Sequence, residues 1–200
     1  KVTGVQTCAL PICELNGYAS DITRTFPING RFSAAQRTLY DITFAAQEAA
    51  VQETRPGKRF IDPHDAAVRV LTQGLMDEKL IKRSEFSTLD EAIEKAAYKR
   101  FYMHRTSHWL GMDVHDVGSY RELDDSKRHG EERPWRMLEE NMVLTIEPGL
   151  YIRPADDIPK AFWNIGIRIE DDAVVTKNGC ELISRGVPVD PLEIESLIRA

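Results

Sequence analysis

Apolar positions along the chain change period partway through. Over residues 33–55, Tyr40, Phe44 and Val51 recur at helical spacing and Pro56-Gly57 stops the run, which predicts a helix. Asp62-Pro63 pairs an N-cap with a first-turn proline ahead of Val68, Leu71 and Leu75, and predicts a second helix ending near Leu80. A third is expected from Ser87 or Thr88 to about Lys99, because Ser87 with Asp90 and Thr88 with Glu91 both have capping-box spacing. After Phe101 the texture becomes that of strands: 142–147 and 164–170 alternate apolar and polar residues, and 173–176 is β-branched. Residues 113–138 are polar and charge-rich, an expected exposed loop, and a last helix should run from Pro191 under an Asp190 cap. Helices first and strands later predict an α+β domain, with helices on one face of a curved, mostly antiparallel sheet.

The alternation places chemistry on the strands. In "NIGIRIEDD", Ile165, Ile167 and Ile169 share one face and Gly166, Arg168 and Glu170 the other. In "MVLTIEPG", Leu144 and Ile146 oppose Val143, Thr145 and Glu147, with Pro148 keeping Glu147 extended. In "SDITRTF", Asp21 shares a face with Thr23 and Thr25, opposite Ile22 and Phe26. A single acid on a strand is ordinarily solvated. Convergent carboxylates away from water would each cost several kcal/mol, which a cation or a shared proton relieves.

"FYMHRTSHWLGMDVHDVG" adds His104, His108 and His115. His104 and His108 have the spacing of a zincin helix, but Arg105 stands where that motif needs its glutamate, which excludes that class. Carboxylates with one imidazole suit Mn²⁺, Co²⁺ or Zn²⁺. Carboxylates can also bridge two such ions about 3.5–4 Å apart, which lower the pKa of a shared water and polarise a carbonyl, so the expected chemistry is metal-assisted hydrolysis.

Composition narrows the picture. Two hundred residues, 42% hydrophobic and 29% charged, suit one soluble globular domain. A net charge of -6 without a basic run argues against nucleic acid as partner. No apolar run approaches the ~20 residues of a membrane span and no signal-peptide pattern opens the chain, so a cytoplasmic protein is expected. Cys8, Cys13 and Cys180 have neither metal spacing nor an even count, and are read as free thiols.

The ordered segments "GYASDITRTFP", "MHRTSHWLGMDVHDVG", "VLTIEPGLYI" and "GIRIEDD" closely resemble the catalytic domain of aminopeptidase P, the Xaa-Pro aminopeptidase group of the pita-bread metallopeptidases. The resemblance runs from about Cys13 to the C-terminus. It implies the pita-bread fold, incomplete at its N-terminal side, and two divalent ions, most readily Mn, with Co or Zn as alternatives. The implied metal ligands are Asp21, His108, Glu147 and Glu170, with Asp21 and Glu170 bridging. It further implies that His104 and His115 line the substrate pocket and that Glu147 takes the proton of the bridging water; Arg168, two residues from Glu170 on the same strand face, is expected to support that acid. The implied substrates are peptides with proline in the second position, and the full-length protein is expected to be a homo-oligomer.

One ligand departs from the family pattern. The family's leading Asp, eleven residues before Asp21, falls on Leu10, and leucine offers no donor to a cation. Residues 2–12, "VTGVQTCALPI", resemble the translation of a common sequencing-library adapter, so residues 1–12 are expected to be non-native and 13–200 a partial catalytic domain. The chain as written is then expected to hold at most one ion tightly and to turn over little. Two other readings stand beside the aminopeptidase: an Xaa-Pro dipeptidase (prolidase), and a non-catalytic peptide-binding module on the same scaffold, which loss of the Leu10 ligand would favour.

Overall fold

The computed structural model describes residues 5–122 and 133–200, with side chains from Cys13 onward. Strands β1 (Val5–Leu15) and β2 (Tyr18–Pro27) form an opening hairpin. Asn16 and Gly17 both carry positive φ, as a two-residue hairpin turn of matching twist requires. The backbone of the adapter-like stretch is therefore paired: Leu10 stands across from Ile22 and Pro11 across from Asp21, and the register shifts between Pro11 and Glu14.

Helix α1 (Ala34–Glu53) starts at a full capping box, Ser33 with Gln36, and buries Leu39, Tyr40, Ala46 and Ala50. Helix α2 (Asp62–Asp77) buries Ala67, Val68, Leu71 and Leu75. Asp62 does not cap it: the N-cap is Ile61, and the Asp62 carboxylate instead accepts the Arg59 amide at 2.8 Å. The helix also stops before Leu80, because Lys79 takes φ 60 and the Leu80 and Ile81 amides fold back onto the Leu75 carbonyl.

Helix α3 (Leu89–Glu94) is capped by Thr88 but is shorter than expected. Ala96 adopts a left-handed conformation, φ 53, and a 3₁₀ turn over Ala97–Arg100 follows. That break aims Phe101 and Tyr102 into the core, where they are 2% and 0% exposed.

The remaining strands are β3 (Val143–Ile146), β4 (Gly149–Ile152), β5 (Ile165–Arg168), β6 (Asp171–Val175) and β7 (Cys180–Leu182), before α4 (Pro191–Arg199). Asp190 caps α4 through the Leu192 and Glu193 amides. The strand carrying Asp21 is continuous, whereas the two carrying Glu147 and Glu170 are interrupted at those acids. The strand expected over 142–147 stops at Ile146 and resumes as β4 after Glu147-Pro148; that over 164–170 breaks at Ile169 and Glu170, and that over 173–176 starts early, at Asp171.

Successive pairs Ile146↔Asp171 and Gly149↔Arg168 keep one register, so β3–β4 runs as one bent ribbon beside β5–β6. All strand pairs among the described residues are antiparallel. Helix α1 packs on β3, β4 and β5 over the face carrying Ile146, Leu150, Ile152, Ile165, Ile167 and Ile169, and α2 packs against α1. Each such side chain contributes about 1.5–3 kcal/mol on burial, so the face away from the helices is left to carry polar groups.

The segment 113–138 contains exposed residues, as expected, Val117 among them, and its residues 123–132 lie outside the described residues. Its flanks supply Tyr120, Trp135 and Leu138 to a second apolar cluster with Phe60 and Trp109. Trp109 and Tyr120 stack at 5.9 Å with 4° between planes. Cys13 and Cys180 are free thiols, and the side chain of Cys8 lies outside the described residues.

Candidate metal centre

His108 comes from an irregular segment, not a helix, that pairs along the edge of β3. The Thr145 amide donates to the His108 carbonyl at 3.0 Å, the Glu147 amide to the Thr106 carbonyl at 2.7 Å, and Trp109 bridges Leu144. The ring Nδ1 donates to the Trp109 carbonyl at 3.0 Å. In the neutral imidazole this leaves the lone pair on Nε2, which lies 3.4 Å from Asp21 Oδ2 and 3.5 Å from Glu147 Oε1.

Asp21 arrives from β2. Glu147 and Glu170 arrive from the two interruptions of the bent ribbon, at facing register positions. One donor atom each of Asp21, His108 and Glu170 lies within 4.8 Å of the others. Glu170 is 1% exposed and accepts a short hydrogen bond from the Thr23 hydroxyl. Arg168 spans the two glutamates, 3.6 Å from Glu147 and 3.8 Å from Glu170, and its Nε donates to Thr23 Oγ1 at 3.1 Å.

Burial pushes the Glu147 carboxyl up to about 7, against the lowering charges of His108 and Arg168. Glu170 is pushed up to about 8 by burial and by the Glu147 charge. Burial alone would lower the His108 imidazole, but hydrogen bonds with Asp21 and the Trp109 carbonyl, and the charges of Glu147 and Asp21, raise it. Without a cation the cluster thus retains protons, the response of clustered carboxylates short of positive charge. Oxygen donors with one imidazole, crowded and desolvated, fit a hard or borderline divalent ion.

A cleft of about 640 Å³ opens on this cluster, lined by His104, Ser107, His108, His115, Glu147 and Arg168 among others. His104 is fixed at both nitrogens, Nδ1 to the Arg105 carbonyl and Nε2 to the Tyr151 hydroxyl, each at 2.8 Å. His115 is exposed, its ring centroid 4.1 Å from that of His108. All the histidines and glutamates singled out from the sequence therefore meet at one site, with Asp21 and Arg168.

Sequence reasoning missed the groups that locate them. The sequence pattern places Thr23 on the Asp21 face but marks neither Tyr151 nor His64, whose Nδ1 meets the Thr106 hydroxyl at 3.0 Å. Ser107 Oγ is buried without a partner among the described residues. A readable signal was Arg24, a charge on the apolar side of "ITRTF". It is 8% exposed and its Nη2 pairs with Asp171 at 2.7 Å.

The sequence profile described as metallopeptidase family M24 matches residues 12–177. An Xaa-Pro aminopeptidase of Escherichia coli (strain K12) is 45% identical over 94% of this chain, and one of Haemophilus influenzae 42% identical over 93%. The chain spans about 40% of the length of these curated relatives. Among solved structures, the Pseudomonas aeruginosa aminopeptidase PepP superposes with TM-score 0.84 at 43% identity, over 99% of this chain and 48% of that one. Zn-substituted E. coli aminopeptidase P in complex with product gives 0.82 at 45%, over 94% and 39%. With the profile matching most of its length, and an α+β fold shared with the aminopeptidase P structures, the chain belongs to the metallopeptidase family M24.

Proposed function

We propose that the chain is part of the catalytic domain of a dinuclear aminopeptidase that hydrolyses the bond between an N-terminal residue and a following proline. The convergence of Asp21, His108 and Glu170 donors within 4.8 Å carries the reading, and kinship to named Xaa-Pro aminopeptidases supplies the substrate. Asp21, His108, Glu147 and Glu170 would hold the divalent ions, Mn most readily, with Co or Zn accepted by the same donors. Bound there, the ions would supply Lewis acidity and lower the pKa of a water.

The chain's own groups do the rest. Glu147, at the wall of the cleft, is suited to take a proton on its free oxygen and return it to the leaving amine. His104, held at both nitrogens, lines the cleft where the substrate would lie, and His115, exposed at the rim, can donate to the oxygen that becomes anionic. Arg168 balances charge between the two glutamates.

Leu10 removes one ligand from this set, so the chain as written is proposed to be impaired, and residues 1–12 to be adapter-derived rather than native. The likeness of residues 2–12, "VTGVQTCALPI", to translated adapter supports this. A cytoplasmic, homo-oligomeric parent protein is part of the same proposal. Among the described residues no helix is long and apolar enough to cross a membrane.

The test is to recover the coding sequence upstream of Cys13, express the restored protein with Mn²⁺, and assay it on Xaa-Pro-Xaa tripeptides and Xaa-Pro dipeptides. An in-frame Asp at position 10 with tripeptide cleavage is the expected result. Cleavage confined to dipeptides would replace the proposal with a prolidase, and Leu10 in the genome with no turnover would replace it with a binding module.

A further inference from the structure

Asp172 is a buried carboxylate, 2% exposed, that the proposed chemistry does not use. Its place follows from how the sheet changes partners. At Glu170 the ribbon pairs with β2: the Glu170 amide donates to the Thr23 carbonyl at 3.0 Å in an isolated antiparallel bridge. Two residues on along each strand, the same register sets Asp172 across from Asp21. There the backbone of Asp172 is already taken on the β7 side. Its amide donates to Ser184 Oγ at 2.9 Å, and its carbonyl accepts the Ile183 amide at 3.0 Å. The Asp21 amide, which points to the same edge of β2 as the Thr23 carbonyl, would otherwise face a strand with nothing to offer.

The Asp172 carboxylate fills the gap, accepting the Asp21 amide at 3.2 and 3.3 Å on its two oxygens. It is itself located from behind. Ser184, whose Oγ accepts the Asp172 amide, donates to Asp171 at 2.7 Å. Asp171 is anchored in turn by Arg24 at 2.7 Å and Gln47 at 3.0 Å, while Arg24 also donates to the Thr23 carbonyl at 3.1 Å and the Glu170 carbonyl at 2.6 Å. One connected set of polar groups thus ties the backbones bearing Asp21 and Glu170.

We propose that Asp172 is the positioning residue for Asp21: its carboxylate replaces a missing strand partner, and so holds the Asp21 side chain where it can share a divalent ion with His108 and Glu170. The inference rests on the metal-centre reading but concerns a residue that reading leaves idle. An acceptor oxygen, rather than a charge, is what the geometry uses.

The experiment is a Co²⁺ titration of the chain and its variants, followed by the visible d–d absorption, with folding checked by far-UV circular dichroism in chelator. Asp172→Asn keeps the acceptor and should bind within about threefold of the parent, whereas Asp172→Ala should weaken binding by about tenfold or more and alter the band shape. Ser184→Ala, which frees the Asp172 backbone, should weaken binding by an intermediate factor, and it decides the matter if Asp172→Ala does not fold. Unchanged affinity in a folded Asp172→Ala or in Ser184→Ala would overturn the proposal. So would equal losses in the Asn and Ala variants, which would make Asp172 act through charge or direct ligation. Absence of Co²⁺ binding in the parent chain would instead overturn the metal-centre reading beneath it.

Discussion

Arg24 lies on the apolar side of β2, and is tolerated because every nearby acceptor answers it. Its guanidinium meets Asp171, the Val187 carbonyl, the Thr23 carbonyl and the Glu170 carbonyl. Replacing it with leucine would leave Asp171 buried with less compensation, so Arg24→Leu should cost about 3–5 kcal/mol, measured by urea denaturation. A change under 1 kcal/mol, the scale of a solvated surface pair, would show that the network is dispensable. The groups proposed for the metal centre, Asp21, His108, Glu147 and Glu170, each stand in a short motif legible in the sequence. Their supports could not be read there, because Asp172 and Ser184 matter through pairings between strands far apart in sequence, which no local pattern encodes.

At the scale of elements, periodicity found α1, and found α4 with its Asp190 cap, which acts within one turn of chain. It overran α3 and blurred the strands for a common reason. Where the chain must bend to deliver a side chain, as at Ala96 before Phe101 or at Glu147-Pro148 between β3 and β4, tertiary demands override local preference. Gly149, at the start of β4, shows the tightness of one such bend. A Cβ there would sit 2.9 Å from the Ile167 carbonyl and 2.7 Å from the Tyr151 hydroxyl. The backbone contact cannot rotate away, so Gly149→Ala should lower stability by about 1–3 kcal/mol. It should also release Tyr151 from His104, seen as a changed His104 imidazole resonance by NMR. An unchanged melting temperature would show that β4 can shift at little cost.

Over the whole molecule, the site should make stability depend on pH and on metal. Glu147 and Glu170 have folded values of about 7 and 8 against an ordinary 4.5, so the folded chain keeps protons that the unfolded chain has released. Raised values mean that stability is lost as pH rises through them. His64, lowered by burial from 6.5 to about 4, works in the opposite sense, but its contribution is constant above 6.5. The window from pH 6.5 to 8 therefore excludes His64 and reports on the cluster itself, Glu147 and Glu170 together with His108, whose raised imidazole works in the same sense. In chelator the melting temperature should fall across it, whereas saturating Mn²⁺, whose binding displaces those protons, should stabilise more at pH 8 than at 6.5. A metal-free melting temperature that rises across this window would be inconsistent with carboxylates crowded together out of water.

The most direct measurement is metal stoichiometry: equilibrium dialysis of the chain against Mn²⁺, with bound metal counted by mass spectrometry, beside the variant Leu10→Asp. The site described above has Asp21, His108, Glu147 and Glu170 but lacks the family's leading Asp, so one tightly bound equivalent is expected in the chain as written, and a second should appear in the variant. Two tight equivalents with Leu10 in place, or none in either protein, would contradict the assignment of this carboxylate cluster as an incomplete dinuclear metal centre.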